Sequence, residues 1–161
     1  MNEYNRGWCW KVLNEINRMP ISKPFRLPVD PVHDDAPDYL QKIKHPMDLS
    51  KIKQNLNGGL YSKPQQLVDD IHLIASNTRL YNGEDSYFAS CADIIEEYID
   101  QQLKDKCNSY DEEWTQNLDR VINALRKHIE KAPKGVNIDV FENIKTNPIQ
   151  KISTTSDTEF L

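Results

Sequence analysis

An asparagine next to a predicted turn is the residue whose chemistry stands out first. Asn82 precedes Gly83 at the point where a helical pattern of apolar residues ends. A side chain at a helix end can be aimed into a cavity, where the asparagine amide would donate a hydrogen bond to a ligand carbonyl. Taken alone, the same residue is also typical of a helix C-cap or a turn, which is the commoner role.

Residues for catalysis or metal binding follow no recognisable pattern. The sequence has no nucleophile elbow, no phosphate-binding loop and no HExxH motif. The cysteines form no CxxC or Cys/His cluster, and the histidines are scattered, which disfavours zinc and is typical of free thiols. These residues are Cys9, Cys91, Cys107, His33, His45, His72 and His128. The sequence therefore predicts a binding protein rather than an enzyme, with no cofactor and no metal.

Composition predicts one domain with a short appendage and an acidic surface. The 161 residues include 28% charged and 38% hydrophobic ones, and the formal net charge is −5. No apolar stretch could span a bilayer, and the N-terminus lacks a signal-peptide core, so we expect no membrane contact and an intracellular protein. Basic residues near the C-terminus alternate with acids, which argues against direct nucleic-acid binding.

An acidic patch lies within a stretch dense in proline. Its carboxylates would steer a basic partner, although on charge alone a solvated loop is the commoner explanation. The patch consists of Asp30, Asp34, Asp35 and Asp38. The prolines exclude a long helix between positions 20 and 46, yet apolar residues recur there, so the segment is predicted to be a long, ordered loop.

Helical spacing flanks this loop on both sides. One helix precedes it, and three are predicted after it: a short helix that Asp48 caps and Gly58-Gly59 stops, a helix from about Ser62 to Asn82, and one from Ser86 to about Lys106. The apolar stripes are Trp8, Val12, Leu13, Ile16 and Met19; Leu49, Ile52 and Leu56; Leu67, Ile71, Ile74, Thr78 and Tyr81; and Phe88, Cys91, Ile95, Tyr98 and Ile99. The pattern predicts an all-α four-helix bundle with one long crossover.

A further helix follows the bundle. Its apolar stripe spans about 111–131 and must be buried on the bundle, on a partner or on a second copy. We predict a bundle domain over 5–107, an additional helix packed on or beside it over 108–132, and a weakly structured tail over 133–161.

Several ordered motifs in and around the loop resemble the bromodomain family. The likeness covers about Trp8 to Lys106, and the segment from Asn108 lies outside it. Its motifs are Lys23-Pro24-Phe25, Pro28-Val29-Asp30, Pro37-Asp38-Tyr39, Ile43 to Leu49, Ile52, Leu56, Tyr61, Asn77, Tyr81-Asn82 and Ser86. The resemblance implies a left-handed four-helix bundle with a long loop between the first and second helices, plus the extra C-terminal helix.

The resemblance also implies a ligand, which is acetylated lysine. In the family, the asparagine of the Tyr-Asn pair donates to the acetyl carbonyl, which gives Asn82 that role. Tyr39 would reach the same oxygen through an ordered water, and it can also be a core tyrosine.

Apolar residues of the loop and the last bundle helix would complete the pocket. Val29 and Phe25 would form the wall beside the acetyl methyl, or simply pack the loop on the core. Pro28 would set the shape of the loop, and Tyr81 would line the back. Phe88 occupies the family's gatekeeper position, although it could instead be the first core residue of its helix.

The sequence departs from the family at the rim. Lys23 stands where a tryptophan is usual, so we expect the apolar ledge beside the pocket to be missing. Asp34 and Ala36 replace larger apolar loop residues. The predicted peptide rim consists of Lys23 and four acidic residues, which are Asp34, Asp35, Glu84 and Asp85. We expect the acidic residues to select Lys- and Arg-rich peptides and to bind them less tightly at high salt.

The resemblance implies acetylated histone tails, or tails of other proteins, as partners in chromatin regulation, and hence a nuclear location. The alternative is a degenerate bromodomain that acts as a protein-protein interaction scaffold through the 111–131 helix. The presence of Asn82 argues for the reader role.

Overall fold

Helices joined by turns and loops make up the described part of the chain. The computed structural model describes residues 1–131 and 133, and within them no strand occurs. The helices are α1 (Glu3–Arg18), α2 (Tyr39–Lys42), α3 (Leu49–Asn57), α4 (Pro64–Asn82), α5 (Tyr87–Lys104) and α6 (Tyr110–Glu130), with a 3₁₀ helix at Pro20–Phe25. The chain divides into two compact units, 1–110 and 111–161. The predicted all-α class is confirmed.

The core of the first unit is built by the apolar stripes of its four longer helices. Because α1, α3, α4 and α5 each carry apolar residues at helical spacing, their inward faces bury completely. Each fully buried aliphatic side chain contributes about 1.5–3 kcal/mol relative to an exposed one. Fully buried members are Val12, Leu13, Ile16, Ile52, Leu56, Leu67, Val68 and Ile99.

Local sequence signals set the helix ends. Asp48 Oδ1 accepts the N–H of Lys51 at 3.0 Å, and Ser86 Oγ accepts the N–H of Ala89 at 3.0 Å, so both predicted N-caps are confirmed. Pro64 is the first residue of α4, two positions after the predicted start. Gly83 ends α4 with a φ of 87°, which a residue with a side chain rarely adopts.

The proline-dense segment contains two short helical pieces. Pro20–Phe25 forms a 3₁₀ helix, which begins with a proline and needs fewer backbone donors than a long α-helix would. Tyr39–Lys42 forms a single α-turn. The predicted exclusion of a long helix between 20 and 46 is therefore confirmed.

Polar contacts tie α4 to its neighbours. Arg79 reaches across to α5, where its Nη1 lies 2.8 Å from Glu96 and 2.6 Å from Asp93, and hydrogen bonds to these carboxylates raise the pKa of the guanidinium. On the other side, the buried Asn77 amide donates to the carbonyl of His45 at 2.9 Å. This second bond holds the end of the long loop against α4.

The additional helix is observed as α6, close to its predicted bounds. Its apolar residues Trp114 and Val121 are exposed, whereas Ile129 is buried. Where this helix packs stays a prediction, and the predicted tail beyond 133 lies outside the described residues. No helix among the described residues is long and apolar enough to cross a membrane.

Replacing Asn77 with alanine should lower the free energy of unfolding by about 1–3 kcal/mol, because the His45 carbonyl loses its buried donor. Urea denaturation measures the change. Asn14→Ala is the matched control, since Asn14 lies exposed on α1 and should change stability by less than about 0.5 kcal/mol. Equal effects of the two substitutions would show that the Asn77 bond does not anchor the loop.

Candidate functional site

A cavity of about 430 Å³ lies between the proline-dense loop, the end of α4 and the start of α5. Its volume is within the range of pockets that hold small ligands. Its walls are mostly apolar, with a few polar groups that converge on the interior. The lining residues are Pro24, Phe25, Leu27, Val29, His33, Asp34, Asp35, Ala36, Tyr39, Met47, Asp48, Ile74, Thr78, Tyr81, Asn82 and Phe88.

The structure brings most of the predicted site residues together at this cavity. Those that line it are Phe25, Val29, Tyr39, Tyr81, Asn82 and Phe88, with Asp34 and Asp35 from the predicted rim. Pro28 is exposed and lies outside the lining, as do Lys23, Glu84 and Asp85. The polypeptide turns at Gly83, so Glu84 and Asp85 are close to Asn82 in sequence without lining the cavity.

The Asn82 amide is held in place from within its own helix. As the last residue of α4, Asn82 donates one Nδ2 hydrogen to the carbonyl of Thr78 at 3.1 Å. An asparagine amide has two such hydrogens, so the second stays available for a ligand. The bond to Thr78 therefore fixes the orientation of a donor that lines the cavity.

Tyr39 is a buried residue that contributes a hydroxyl to the cavity. Its side chain is only 7% exposed, and its ring meets the edge of Tyr81 with centroids 5.0 Å apart. Burial, together with the negative charge of Asp48, raises the pKa of Tyr39 above its usual value. The phenol therefore stays protonated at neutral pH and can donate a hydrogen bond.

Tyr81 is fastened on its outer side. Its hydroxyl donates to Asp38 Oδ1 at 2.8 Å, while the other oxygen of Asp38 pairs with Lys42 Nζ at 2.7 Å. The hydrogen bond from Lys42, then that from Tyr81, lowers the pKa of Asp38. Lys42 Nζ also lies 5.3 Å from the centre of the Tyr81 ring. This arrangement links α2 to the end of α4.

Hydrogen bonds within the loop close a turn at the acidic patch. Asp30 Oδ1 accepts the N–H groups of Val32 and His33 at 2.9 and 3.2 Å, and these bonds lower the pKa of Asp30. Asp34 Oδ2 accepts the N–H of Asp30 at 2.7 Å. Asp35 follows with a φ of 51°, a left-handed conformation that aspartate tolerates better than most residues. Two of the predicted rim residues are therefore held in a defined turn.

Exposed apolar side chains surround the mouth of the cavity. Phe88 lines it while remaining 43% exposed, and its ring lies 5.8 Å from that of Tyr87, which lies outside the lining. Leu27 lines the cavity and is 69% exposed. Lys23, which stands where the family usually has a tryptophan, lies outside the lining. Leu27 and Pro24 provide apolar surface at the cavity instead.

Sequence reasoning did not assign several lining residues to the site. Thr78 could have been found, since it lies one helical turn before Asn82 and therefore on the same side of α4. The sequence explained Asp48 as the N-cap of α3, so its place in the cavity lining was not predicted. Ile74 could also have been found, because it lies one helical turn before Thr78, and Pro24 and Met47 stand within the family motifs. Leu27 and His33 had no distinguishing local signal.

Within residues 1–131 and 133, no group of three or more His, Cys, Asp or Glu side chains is arranged to hold a metal ion. The cysteines of this part are buried free thiols, and burial raises the pKa of Cys9 to about 11. A thiol with such a pKa stays protonated and is a poor nucleophile at neutral pH.

Comparison with known proteins gives a consistent family. Residues 9–94 match the family model of the bromodomain. The chain is 39% identical over 97 residues to the SWR1 complex bromodomain subunit bdf1 of Schizosaccharomyces pombe, covering 60% of this chain and 17% of that protein. It is 37% identical over 110 residues to the bromodomain-containing protein C631.02 of the same organism, covering 68% and 15%.

A third relative is the nucleosome-remodeling factor subunit NURF301 of Drosophila melanogaster, at 39% identity over 94 residues, which covers 56% of this chain and 3% of that protein. The chain thus spans less than a fifth of the length of each of these relatives.

Replacing Lys42 with methionine should raise the pKa of Asp38 towards that of an ordinary aspartate, because the largest cause of its lowering is removed. Tyr81→Phe should raise the pKa by less. Since folding lowers this pKa, Asp38 stabilises the fold above the ordinary aspartate pKa, and the contribution is lost as the pH falls.

NMR titration of the Asp38 carboxyl carbon measures these changes. Lys44→Met is the control, because the Lys44 ammonium donates to the Gln41 carbonyl and should leave Asp38 unaffected. An unchanged pKa in Lys42→Met would contradict the assignment of the ion pair.

Proposed function

Because the chain belongs to the bromodomain family, whose modules are acetyl-lysine readers and not enzymes, we propose that its cavity binds acetylated lysine in a histone tail. The observation that carries the proposal is the Asn82 amide, which lines a mostly apolar cavity with one hydrogen fixed on Thr78 and the other available.

The apolar part of the cavity beside Asn82 favours an amide over an unpaired amine. Acetylation converts the lysine ammonium into a neutral amide with a methyl group and a carbonyl oxygen. Burying even a neutral polar group without a hydrogen bond costs roughly 2 kcal/mol or more. An unpaired ammonium among Phe25, Val29 and Ile74 would cost more than that, because it carries a full charge. The acetyl carbonyl, in contrast, finds a donor in Asn82. Discrimination thus follows from desolvation together with one hydrogen bond.

Tyr39 would provide a second, indirect contact. Its pKa is raised by burial and by Asp48, so the hydroxyl keeps its proton and can hold a water that bridges to the acetyl carbonyl. Val29 and Phe25 would flank the acetyl methyl. Phe88 would offer its exposed ring to the aliphatic stem of the lysine, since it lines the cavity and is partly exposed.

The acidic turn supports a basic peptide as the ligand. Asp34 and Asp35 line the cavity, and both are exposed. Glu84 and Asp85 lie in the short connection between α4 and α5 and are exposed as well. Opposite charges of this kind mainly increase the association rate and are screened by salt. A Lys-rich histone tail fits such a rim. Because histones are in the nucleus, this ligand would make the protein nuclear.

Relatives support the chromatin setting, since one is named as a nucleosome-remodeling factor subunit.

A scaffold role through α6 is the second candidate, and the exposure of Trp114 and Val121 favours it. In that case a protein partner would bind the 111–131 helix, and the acetyl-lysine cavity would not be required for the contact.

Asn82→Ala should weaken binding of an acetylated histone-tail peptide by tenfold or more, which corresponds to loss of about 1.4 kcal/mol from one buried hydrogen bond. Isothermal titration calorimetry measures this, with the unmodified peptide alongside. Asn57→Ala is the matched control, because Asn57 is exposed at the end of α3. Equal affinity of the wild-type protein for both peptides would rule out acetyl-lysine recognition.

Binding of the acetylated peptide should weaken as salt rises from roughly 0.05 to 0.5 M, since the Debye length falls across this range. Asp35→Asn should reduce the salt dependence, and asparagine tolerates the left-handed backbone at this position. Glu97→Gln, on the exposed face of α5 away from the cavity lining, should leave it unchanged. An affinity that does not vary with salt would eliminate the role of the acidic rim.

A further inference from the structure

A carboxylate lies among the apolar residues that line the cavity. Asp48 is only 6% exposed, and it lines the cavity together with Ile74, Thr78 and Tyr39. Its Oδ1 caps α3, accepting the N–H of Lys51 at 3.0 Å and the hydroxyl of Ser50 at 2.5 Å. The capping role uses one of its two oxygens.

The second oxygen of Asp48 keeps some accessible surface. Among residues 1–131 and 133, no donor forms a hydrogen bond with Oδ2. In the same part of the chain, Oδ1 of Asn5 is the fully buried side-chain oxygen that lacks a partner, and Asp48 Oδ2 is not of this kind. Oδ2 is therefore accessible, and the cavity is the space that Asp48 lines.

Neighbouring hydroxyl groups do not satisfy this oxygen. Thr78 Oγ1 donates its hydrogen to the carbonyl of Ile74 at 2.7 Å. Tyr39 senses the negative charge, since Asp48 contributes to its raised pKa after burial, but the two form no hydrogen bond in the described residues. A carboxylate oxygen on a residue with so little exposure needs a donor from water or from a ligand.

An acetyl group supplies no such donor and leaves much of the cavity unfilled. A water molecule takes about 30 Å³ in the liquid, so the four non-hydrogen atoms of the acetamide head fill roughly 120 Å³ by the same measure. The cavity volume is about 430 Å³. Space therefore remains for a longer acyl chain.

We propose that the cavity takes short acyl-lysines whose acyl chain carries a hydroxyl group, which donates to Asp48 Oδ2. This inference rests on the proposed function, because the acyl carbonyl would still bind Asn82. The ligand class includes 2-hydroxypropionyl-lysine and 3-hydroxybutyryl-lysine, which place the hydroxyl one or two carbons beyond the carbonyl.

The hydroxyl group of the acyl chain would replace a water molecule as the donor to Asp48 Oδ2. A plain butyryl chain would displace water from Asp48 and leave its Oδ2 without a donor, which costs free energy. A hydroxylated chain restores the bond, and a hydrogen bond to a charged acceptor is roughly twice as strong as a neutral one. Affinity should therefore fall from acetyl to butyryl and recover in 3-hydroxybutyryl.

Calorimetric titration with one histone-tail peptide in five forms tests the proposal. The forms carry acetyl-, propionyl-, 2-hydroxypropionyl-, butyryl- and 3-hydroxybutyryl-lysine at the same position. At least one hydroxylated form should bind about tenfold more tightly than its partner without the hydroxyl. The pair that shows the preference identifies where the hydroxyl must lie.

Two variants of Asp48 connect the preference to its carboxylate. Asp48→Asn and Asp48→Ser both keep an oxygen that can cap α3, and circular dichroism with thermal unfolding verifies their fold. Each should reduce the preference to about threefold or less, because the charged acceptor is gone. Asp35→Asn removes a charge at the rim instead and should weaken the hydroxylated and plain forms equally.

The outcomes separate this inference from the proposed function. If the acetylated peptide binds but neither hydroxylated form exceeds its plain partner, the hydroxyacyl inference fails and the reader function stands. A preference that persists in both Asp48 variants would also overturn it. If no acylated peptide binds, both proposals fail together.

Discussion

The cavity depends on how α4 holds the proline-dense loop. This loop contains only a 3₁₀ helix and a single α-turn, so its own backbone bonds do not fix it relative to the core. The Asn77 amide binds the His45 carbonyl, and one helical turn later the Tyr81 hydroxyl binds Asp38. Asn82 follows directly after Tyr81. The helix that positions the loop therefore also presents the amide donor to the cavity that the loop encloses.

Acidic residues around the cavity have separate tasks because of where they lie. Hydrogen bonds within the loop and the contacts with Lys42 and Tyr81 occupy Asp30 and Asp38, and these contacts lower the pKa of both carboxyls. Asp35, in contrast, is exposed at the rim and can attract a basic peptide. Asp48 is the buried member, which caps α3 with one oxygen and also lines the cavity. Net charge alone could not have distinguished these roles.

Much of the fold and part of the candidate site were predictable from local patterns. Caps at Asp48 and Ser86 and the stop at Gly83 depend on residues within about four positions, so sequence spacing defines them well. The resemblance to bromodomains then assigned Asn82 and Tyr39 to a common pocket, and both line the cavity. Leu27 escaped notice, because an apolar side chain in a loop has no periodicity to reveal the side on which it lies.

The sequence by itself determined the helices, the proline-dense loop that could not form a helix, and the kinds of hydrogen-bonding groups available. Each of these follows from a few consecutive residues. Only the tertiary structure decided which groups meet. The bonds from Asn77 to His45 and from Tyr81 to Asp38 join residues 32 and 43 positions apart, and they exist because helix packing brings those segments together. The place of Asp48 in the cavity lining is a result of the same kind, since local capping rules account for its bonds to α3 and only helix packing brings the residue to the cavity.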